Sequence, residues 1–219
     1  MLKRAIALLG FALTALSVTP ACANVILSEG FESGVGGWTK WAASWSNTGV
    51  LSATAASEAA YSGSYGLKLQ INGFSSCGVY KQVAVTPGTP YKLDGMWRSP
   101  NSTDRWFEAI LLDGPWNLFQ ADDPSVVYNN VVAGYDSAFN PAPASFGWEP
   151  FSATYPVVPV IVNGTRVATG NVMTVVLKLG GSNSVAYFDD VTLTEIPEPT
   201  SVLALASGMG VFGLLRRRR

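Results

Sequence analysis

The chain contains no histidine, and this narrows the chemistry that its side chains can perform. Without an imidazole there is no Ser-His-Asp or Cys-His arrangement, and a zinc hydrolase site lacks its commonest ligand. Carboxylates remain, and Glu32, Glu108 and Glu149 could in principle supply the acid and the base of a glycosidase. The sequence shows no paired-carboxylate motif and no nucleophile elbow. We therefore expect a protein that is not an enzyme, with glycan hydrolysis as the less favoured alternative.

Tryptophan is the second informative residue type, because exposed aromatic rings stack on the C–H faces of sugars. Alternation along a strand places Trp97 on the same face as Tyr91 and Leu93, which predicts a core position for Trp97. Trp106 instead shares a face with Glu108, so that a ring lies beside a hydrogen-bonding acid. The candidate carbohydrate-binding residues are Trp41, Trp45, Trp106, Glu108 and, in a turn, Trp116.

The charge balance excludes one class of partner. The chain has 14 Lys and Arg against 15 Asp and Glu, but six of the basic residues lie close to its ends. Without those six, 8 basic residues remain against 15 acidic ones, a net charge of −7. A domain with this charge repels phosphate, so nucleic acid is not an expected partner. Neutral polymers, cations and other proteins remain.

Alternating apolar and polar residues predict strands through the middle of the chain. Leu67, Leu69 and Ile71 share one face of the first clear strand. Further strands, separated by Gly, Pro, Asn and Asp turns, are predicted at 78–85, 91–98, 105–112, 172–179 and 185–194. This pattern predicts an all-β fold, an antiparallel β-sandwich. Two segments are less regular: 118–145 reads as long loops around a short strand at 125–132, and 53–60 as a loop or single turn.

The N-terminal residues have the layout of a signal peptide. Lys3 and Arg4 precede an apolar stretch, and Ala21-Cys22-Ala23 fits the small-x-small pattern that signal peptidase cuts after Ala23. A lipoprotein acylated at Cys22 is the rival interpretation. After cleavage Cys77 is the remaining cysteine, and we expect it to be a small buried hydrophobe.

The C-terminal residues have the order of a membrane-stop signal. Pro197-Glu198-Pro199 precedes an uncharged stretch, 200–215, which Arg216, Arg217, Arg218 and Arg219 follow. As a helix the stretch reaches about 24 Å, less than a hydrocarbon core of about 30 Å. The arginines favour the cytoplasmic side. An ordinary anchor or a buried core helix is the alternative.

This order resembles the PEP-CTERM sorting signal of Gram-negative bacteria, over residues 196–219. The resemblance implies transient anchoring in the inner membrane and cleavage near Pro-Glu-Pro by the membrane protease exosortase. The chain then has three parts: a signal peptide over 1–23, a mature domain over 24–195 and the sorting signal with its hydrophobic helix. Both signals imply export to the cell surface or the extracellular matrix.

Several segments of the mature region, taken in order, resemble the jelly-roll superfamily of carbohydrate-binding modules. The matching segments are 29–38 (EGFESGVGGW), 60–69 (AYSGSYGLKL), 78–98, 148–154 and 186–191 (AYFDDV). The resemblance implies a jelly-roll sandwich with Trp38 and Trp148 at core positions. It specifies the fold more than the ligand, because the same scaffold serves many functions.

Many members of that superfamily hold a structural calcium where the first and last strands meet. The resemblance implies Glu32 and one of Asp189 or Asp190 as ligands, and calcium accepts such hard oxygen donors. The alternative is that these acids cap turns or pair with Lys68 or Arg98.

Together these observations predict an exported, non-catalytic protein of the extracellular polysaccharide or biofilm matrix. Carbohydrate binding is the favoured role. A structural matrix protein that binds no sugar is the alternative that the sequence leaves open.

Overall fold

The described residues of the chain form two antiparallel β-sheets that pack face to face. The computed structural model describes residues 23–43, 45, 50–100, 106–123, 126–135, 145–150 and 164–197. They all lie in one compact unit, Ala23–Pro197. The predicted signal peptide and sorting signal lie outside the described residues, except for Ala23, Ile196 and Pro197. Within the described ranges, no helix has the length and apolar character needed to span a membrane.

The regular elements are strands, with one short helix. In chain order they are β1 Asn24–Glu29, β2 Thr39–Ala42, β3 Val50–Ala56, β4 Gly66–Asn72, β5 Phe74–Ala84, β6 Pro90–Ser99, β7 Trp106–Asp113, α1 Leu118–Asp122, β8 Val131–Tyr135, β9 Phe146–Pro150, β10 Thr165–Val167, β11 Val172–Ser182 and β12 Val185–Glu195.

The seven-stranded sheet is built around β12. In this sheet β12 pairs with β6 on one side and with β1 and β4 on the other, while β3 extends the sheet beyond β4. The far edge of β6 carries β9 and β10. The five-stranded sheet has the order β2-β5-β11-β7-β8, with β11 at its centre. The predicted all-β antiparallel sandwich of jelly-roll type is therefore confirmed.

The main core lies between the inner faces of the two sheets. Leu67, Leu69 and Ile71 are fully buried there, as their alternation predicted, and so is Trp97. On the five-stranded sheet the residues that face this core include Val175, Leu177 and Leu179 of β11 and Phe107, Ala109 and Leu111 of β7. Burial of these apolar surfaces stabilises the sandwich at roughly 25 cal/mol per Å².

A second apolar cluster lies on the outer face of the five-stranded sheet. Ile110, Leu112 and Val176 alternate with the core residues and belong to this cluster. Residues 116–123 and 126–130, which we call the covering segment, contribute Trp116, Leu118, Ala121 and Val127. Asn117 caps α1 through its side chain, which accepts a hydrogen bond from the Gln120 N–H. Part of the outer face of this sheet is therefore buried.

Two predictions for the irregular segments were wrong. Residues 50–56 form β3, and only Ser57–Ala59 make the single turn that was expected over 53–60. This strand is rich in alanine, which has low strand propensity, but it pairs with β4 without a break from Val50↔Asn72 to Ala56↔Gly66. The short strand expected at 125–132 begins only at Val131, because Val127–Asn129 form a 3-10 turn.

Cys77 is fully buried in the main core, as expected for a small hydrophobe. Burial raises the pKa of its thiol to about 11; a hydrogen bond with Ser75 opposes this shift, and the nearby Asp122 carboxylate adds a smaller increase. The thiol is therefore protonated and shielded at neutral pH.

Candidate functional site

Three aromatic rings meet at one end of the outer face of the five-stranded sheet. Phe74 begins β5, Trp106 begins β7, and Trp45 follows β2. The ring centroids are 5.7 Å apart for Trp45 and Phe74, 6.4 Å for Trp45 and Trp106, and 6.0 Å for Phe74 and Trp106. Trp45 is 49% exposed and Phe74 46%. We call this group the aromatic cluster.

A glycine in the central strand allows the Trp106 ring to lie across the sheet. Gly180 pairs with Trp106 on one side and with Ser76 on the other. A Cβ at Gly180 would lie 1.8 Å from the Trp106 Cε2, a distance that no side chain can tolerate. The indole therefore occupies the space that a side chain of β11 would otherwise take.

A buried ion network adjoins the aromatic cluster. The Lys178 ammonium lies 2.9 Å from Glu108 Oε2 and 3.2 Å from Asp122 Oδ1, and it donates to the Ala121 carbonyl at 3.2 Å. All three charged side chains are almost fully buried. Ser76 Oγ also donates to Asp122 Oδ1. Two carboxylates against one ammonium give this group a net negative charge.

Asp122 connects the ion network with the aromatic cluster. The Trp45 indole N–H donates to Asp122 Oδ2 at 3.2 Å, while Lys178 and Ser76 hold the other oxygen. Sequence reasoning missed Asp122, because it lies 77 residues from Trp45 in a segment that was interpreted as loop. The signal that could have found it is the Asn117 cap at the start of α1.

The predicted pair of Trp106 and Glu108 does lie on one face, but the acid is not available beside the ring. Glu108 pairs with Lys178 in the register of β7 and β11 and is buried beneath the covering segment. The carboxylate that accompanies the rings is Asp122 instead.

Trp41 and Trp116 lie away from the aromatic cluster, within the second apolar cluster. Trp41 is only 7% exposed, and its ring centroid is 5.2 Å from that of Trp116. Trp116 is partly buried and stacks flat on Tyr80, with centroids 4.2 Å apart and an interplanar angle of 1°. The two rings pack between the covering segment and the sheet. Neither ring therefore has a free face on which a sugar could stack.

Trp38 and Trp148 were both expected in the core, but only Trp38 is buried there. Trp38 is buried against Phe31, with ring centroids 5.8 Å apart. Trp148 is only partly buried and contacts Tyr61 and the Arg98 guanidinium, so its core assignment was wrong. The pairing of β6 with β9 shifts register between Trp97 and Ser99, and such a shift changes which residues point outward.

The three acids proposed as calcium ligands converge on the loop between β3 and β4. Glu32 Oε1 accepts from the N–H groups of Ser64 and Tyr65 at 2.8 and 3.0 Å. Asp189 Oδ2 accepts from the backbone N–H groups of Tyr61 and Ser62. Asp190 Oδ1 accepts from the Ser62 hydroxyl. The acids therefore anchor a backbone loop, as the turn-capping alternative expected.

The same carboxylates lie around Gly30. A Cβ at Gly30 would lie 3.8 Å from Asp189 Oδ1, 3.9 Å from Asp190 Oδ1 and 4.0 Å from Glu32 Cγ. Burial raises the pKa of Asp189, the backbone hydrogen bonds oppose that shift, and the charge of Asp190 adds to it. The donor set is chemically suited to calcium. Among the described residues, however, no group of three acidic, Cys or His side chains is already arranged around a metal position.

No protein-family model and no curated protein matches the sequence, whereas solved structures match its fold. The K3 cleaved adhesin domain of Lys-gingipain from Porphyromonas gingivalis is similar, with a TM-score of 0.52 and 12% identity, over 79% of this chain and 99% of that chain. At this identity the likeness shows the β-sandwich fold alone.

Carbohydrate-binding modules are also among the similar structures, at lower TM-scores. One is TmCBM61 in complex with β-1,4-galactotriose, with a TM-score of 0.42 and 12% identity over 76% of this chain and 94% of that chain. Another is the CBM22-1–GH10 part of Clostridium thermocellum xylanase 10B, with xylohexaose, at a TM-score of 0.49 and 18% identity. The match covers 80% of this chain but only 29% of that enzyme chain.

The ion network gives the first prediction. In Lys178→Met the Glu108 and Asp122 carboxylates stay buried without their cation, and we expect a loss of about 3–5 kcal/mol in the free energy of unfolding. Urea denaturation monitored by circular dichroism measures this loss. Adding Glu108→Gln to that variant removes one of the two charges and should restore part of the stability. Equal midpoints for wild type and Lys178→Met would contradict a stabilising role for the network.

Proposed function

We propose that this protein binds carbohydrate at the aromatic cluster, without catalysis. The observation that carries the proposal is the close grouping of Trp45, Phe74 and Trp106 next to a fixed carboxylate, with two of the rings about half exposed. Exposed aromatic rings stack on sugar C–H faces, and an ionised carboxylate accepts hydrogen bonds from sugar hydroxyls. A site built from a few rings and one oriented polar group is typical of ligand pockets.

The charge of the site favours neutral glycans. Two carboxylates and a carbonyl surround the Lys178 ammonium, so its positive charge is compensated within the protein and does not attract a ligand. The net negative group beneath the rings repels carboxylated sugars and suits hydroxyl donors. The rings supply contact area at low entropic cost because each has only two rotatable side-chain bonds.

The acids considered for catalysis have structural partners. Glu108 is paired with Lys178 beneath the covering segment. Glu149 Oε1 accepts from the Trp97 indole at 3.0 Å and from the Tyr135 hydroxyl at 2.5 Å. Glu32 holds the loop between β3 and β4. These contacts support binding without hydrolysis as the proposed activity.

Binding at the aromatic cluster predicts a defined loss on mutation. We expect Trp106→Ala and Trp45→Ala each to weaken binding of a retained neutral polysaccharide by about tenfold, or about 1.4 kcal/mol. Affinity electrophoresis in gels with xylan, galactan, mannan or glucan measures the retention. Tyr65→Ala, a similarly exposed ring outside the cluster, is the matched control and should behave as wild type.

Two results would contradict the proposal that the aromatic cluster binds carbohydrate. One is the absence of retention on every polysaccharide and on a glycan array, which would favour the structural matrix role. The other is retention that survives both tryptophan substitutions.

We further propose that the protein is exported and that exosortase processes its C-terminus. Support comes from the sequence alone: Pro197-Glu198-Pro199, the uncharged stretch 200–215 and the four terminal arginines, together with the leader that ends at Ala23. In this proposal signal peptidase and exosortase are the processing partners. The inner membrane holds the chain transiently before the protein reaches the cell surface or the polysaccharide matrix.

Replacing Arg216, Arg217, Arg218 and Arg219 with glutamine tests this route. The loss of the cytoplasmic charge should abolish the transient membrane stage and change the C-terminus of the exported protein. Mass spectrometry of the membrane and extracellular fractions measures both. An unchanged fraction and an unchanged terminus would contradict the sorting proposal.

We also propose that Ca²⁺ binds at Glu32, Asp189 and Asp190 as a structural ion. The three like charges around Gly30 support this, because a divalent cation would offset their repulsion and add rigidity to the loop that they anchor. The ion's contribution would be structural, and no chemistry is assigned to it.

A thermal unfolding experiment tests the calcium proposal. An ion at about 100 times its Kd stabilises the folded state by about 2.7 kcal/mol, so calcium should raise the midpoint clearly above that in EDTA. Glu32→Gln should remove most of this difference. Identical midpoints in calcium and in EDTA would show that the acids serve only as loop anchors.

A further inference from the structure

The outer face of the seven-stranded sheet carries a separate row of aromatic and basic side chains. Tyr187 of β12 pairs with Lys68 of β4 on one side and with Arg98 of β6 on the other. Trp148 of β9 lies next to Arg98 and extends the row to a fourth strand. We call Tyr61, Arg98, Trp148 and Tyr187 the arginine platform.

The Arg98 guanidinium lies close to the rings on both sides of it. Its Cζ is 5.2 Å from the centroid of the Trp148 ring and 4.7 Å from that of Tyr187. Cation–π contacts of this kind fix the plane of the guanidinium and leave its N–H donors at the edge. The position of the cation is therefore set before any ligand arrives.

Most donors of Arg98 have no acceptor in the described part of the chain. Nη2 donates to the Glu58 carbonyl, but Nε is buried without a hydrogen-bond partner. No acidic side chain of the described residues forms an ion pair with Arg98, although the mature region is strongly acidic. A guanidinium with unpaired donors is unfavourable, and an anion bound at its accessible edge offsets part of that cost.

A neighbouring acid, Glu58, is already engaged. Glu58 is paired with Lys68 at 3.0 Å, and its backbone hydrogen bond, followed by that lysine, lowers the pKa of its carboxyl. This pair is neutral overall, and the Arg98 guanidinium has no carboxylate paired with it among the described residues. Lys178 at the aromatic cluster, in contrast, is paired with two carboxylates.

Exposed rings border the cation. Tyr61 is 50% exposed, and its ring lies edge-on to that of Trp148 with centroids 5.5 Å apart. A fixed cation beside such rings suits a ligand that combines a carboxylate with an apolar ring face.

We propose that the arginine platform is a second glycan site, which binds carboxylated saccharides such as oligouronates. The sugar carboxylate accepts hydrogen bonds from the edge of Arg98, and the C–H face of the sugar packs on Tyr61 and Trp148. Arginine is suited to this role because its planar fork matches a carboxylate. Exposed rings favour a saccharide over an acidic peptide, whose extended backbone offers no such face.

The two sites have separate ligands, because they lie on the outer faces of opposite sheets. One domain with a neutral-glycan site and an acidic-glycan site could bridge two polymers. The second site does not depend on the first, so each can fail alone.

Titration calorimetry with tetragalacturonate at low ionic strength tests the proposal, with the fully methyl-esterified tetramer as the matched neutral probe. Wild type should bind the uronate at least about tenfold more tightly than the neutral sugar at this site. Arg98→Gln should lose about tenfold or more of the uronate affinity, and rising salt should weaken binding. Trp106→Ala should leave uronate binding unchanged.

Tyr61→Ala keeps the test valid if Arg98→Gln fails to fold, because Tyr61 is half exposed; this variant should weaken uronate binding severalfold. The proposal is overturned if wild type does not bind tetragalacturonate. It is also overturned if Arg98→Gln binds tetragalacturonate as wild type does. If Arg98→Gln does not fold, the same result with Tyr61→Ala overturns it. Equal binding of a tetraglutamate peptide would also overturn it, by assigning the face to acidic peptides. Loss of uronate binding in Trp106→Ala would assign the ligand to the aromatic cluster instead.

Discussion

A buried ammonium group organises the outer face of the five-stranded sheet. Lys178 lies on the central strand β11, where an unpaired charge would cost several kcal/mol. Glu108 from the neighbouring strand and Asp122 from α1 satisfy it, and the Ala121 carbonyl completes its contacts. One of these partners lies on the sheet and the others lie on the covering segment. The full set of contacts to the ammonium is therefore made only when that segment is in place.

The aromatic cluster depends on the same constraint. Asp122 reaches Trp45 only because Lys178 and Ser76 hold its other oxygen. The Trp106 ring lies over β11 at position 180 only because that residue is glycine. On the opposite sheet, the rings of Trp148 and Tyr187 contact the Arg98 guanidinium, and no carboxylate of the described residues pairs with it. Lys178 is thus paired with two carboxylates, whereas Arg98 has no carboxylate partner among the described residues, and the two proposed glycan classes follow from that difference.

Periodicity in the sequence was enough to predict the sandwich, because burial of one strand face leaves an alternating pattern such as that of Leu67, Leu69 and Ile71. The outward position of Trp148 was not predictable, since it follows from a register shift that depends on tertiary pairing. The strand at 50–56 was missed because its alanines have little strand propensity, and its pairing with β4 decides its conformation.

Tryptophan as a residue type indicated a ring-based site, but whether a ring is buried, as for Trp41, or exposed, as for Trp45, depends on the covering segment. The acid of that site was assigned to Glu108 by parity, whereas contacts across the fold assign it to Asp122.

Native-state amide hydrogen exchange, compared between wild type and Lys178→Met, tests most directly whether the buried ammonium holds the covering segment on the sheet. The account predicts that the amides of Ala121, Asp123, Val127 and Asn130, which are hydrogen-bonded within the segment, lose protection in the variant. Amides of β4 and β12, on the other sheet, should keep theirs. Equal protection of the covering segment in the two proteins would contradict the central claim, because the segment would then be held by its apolar contacts alone.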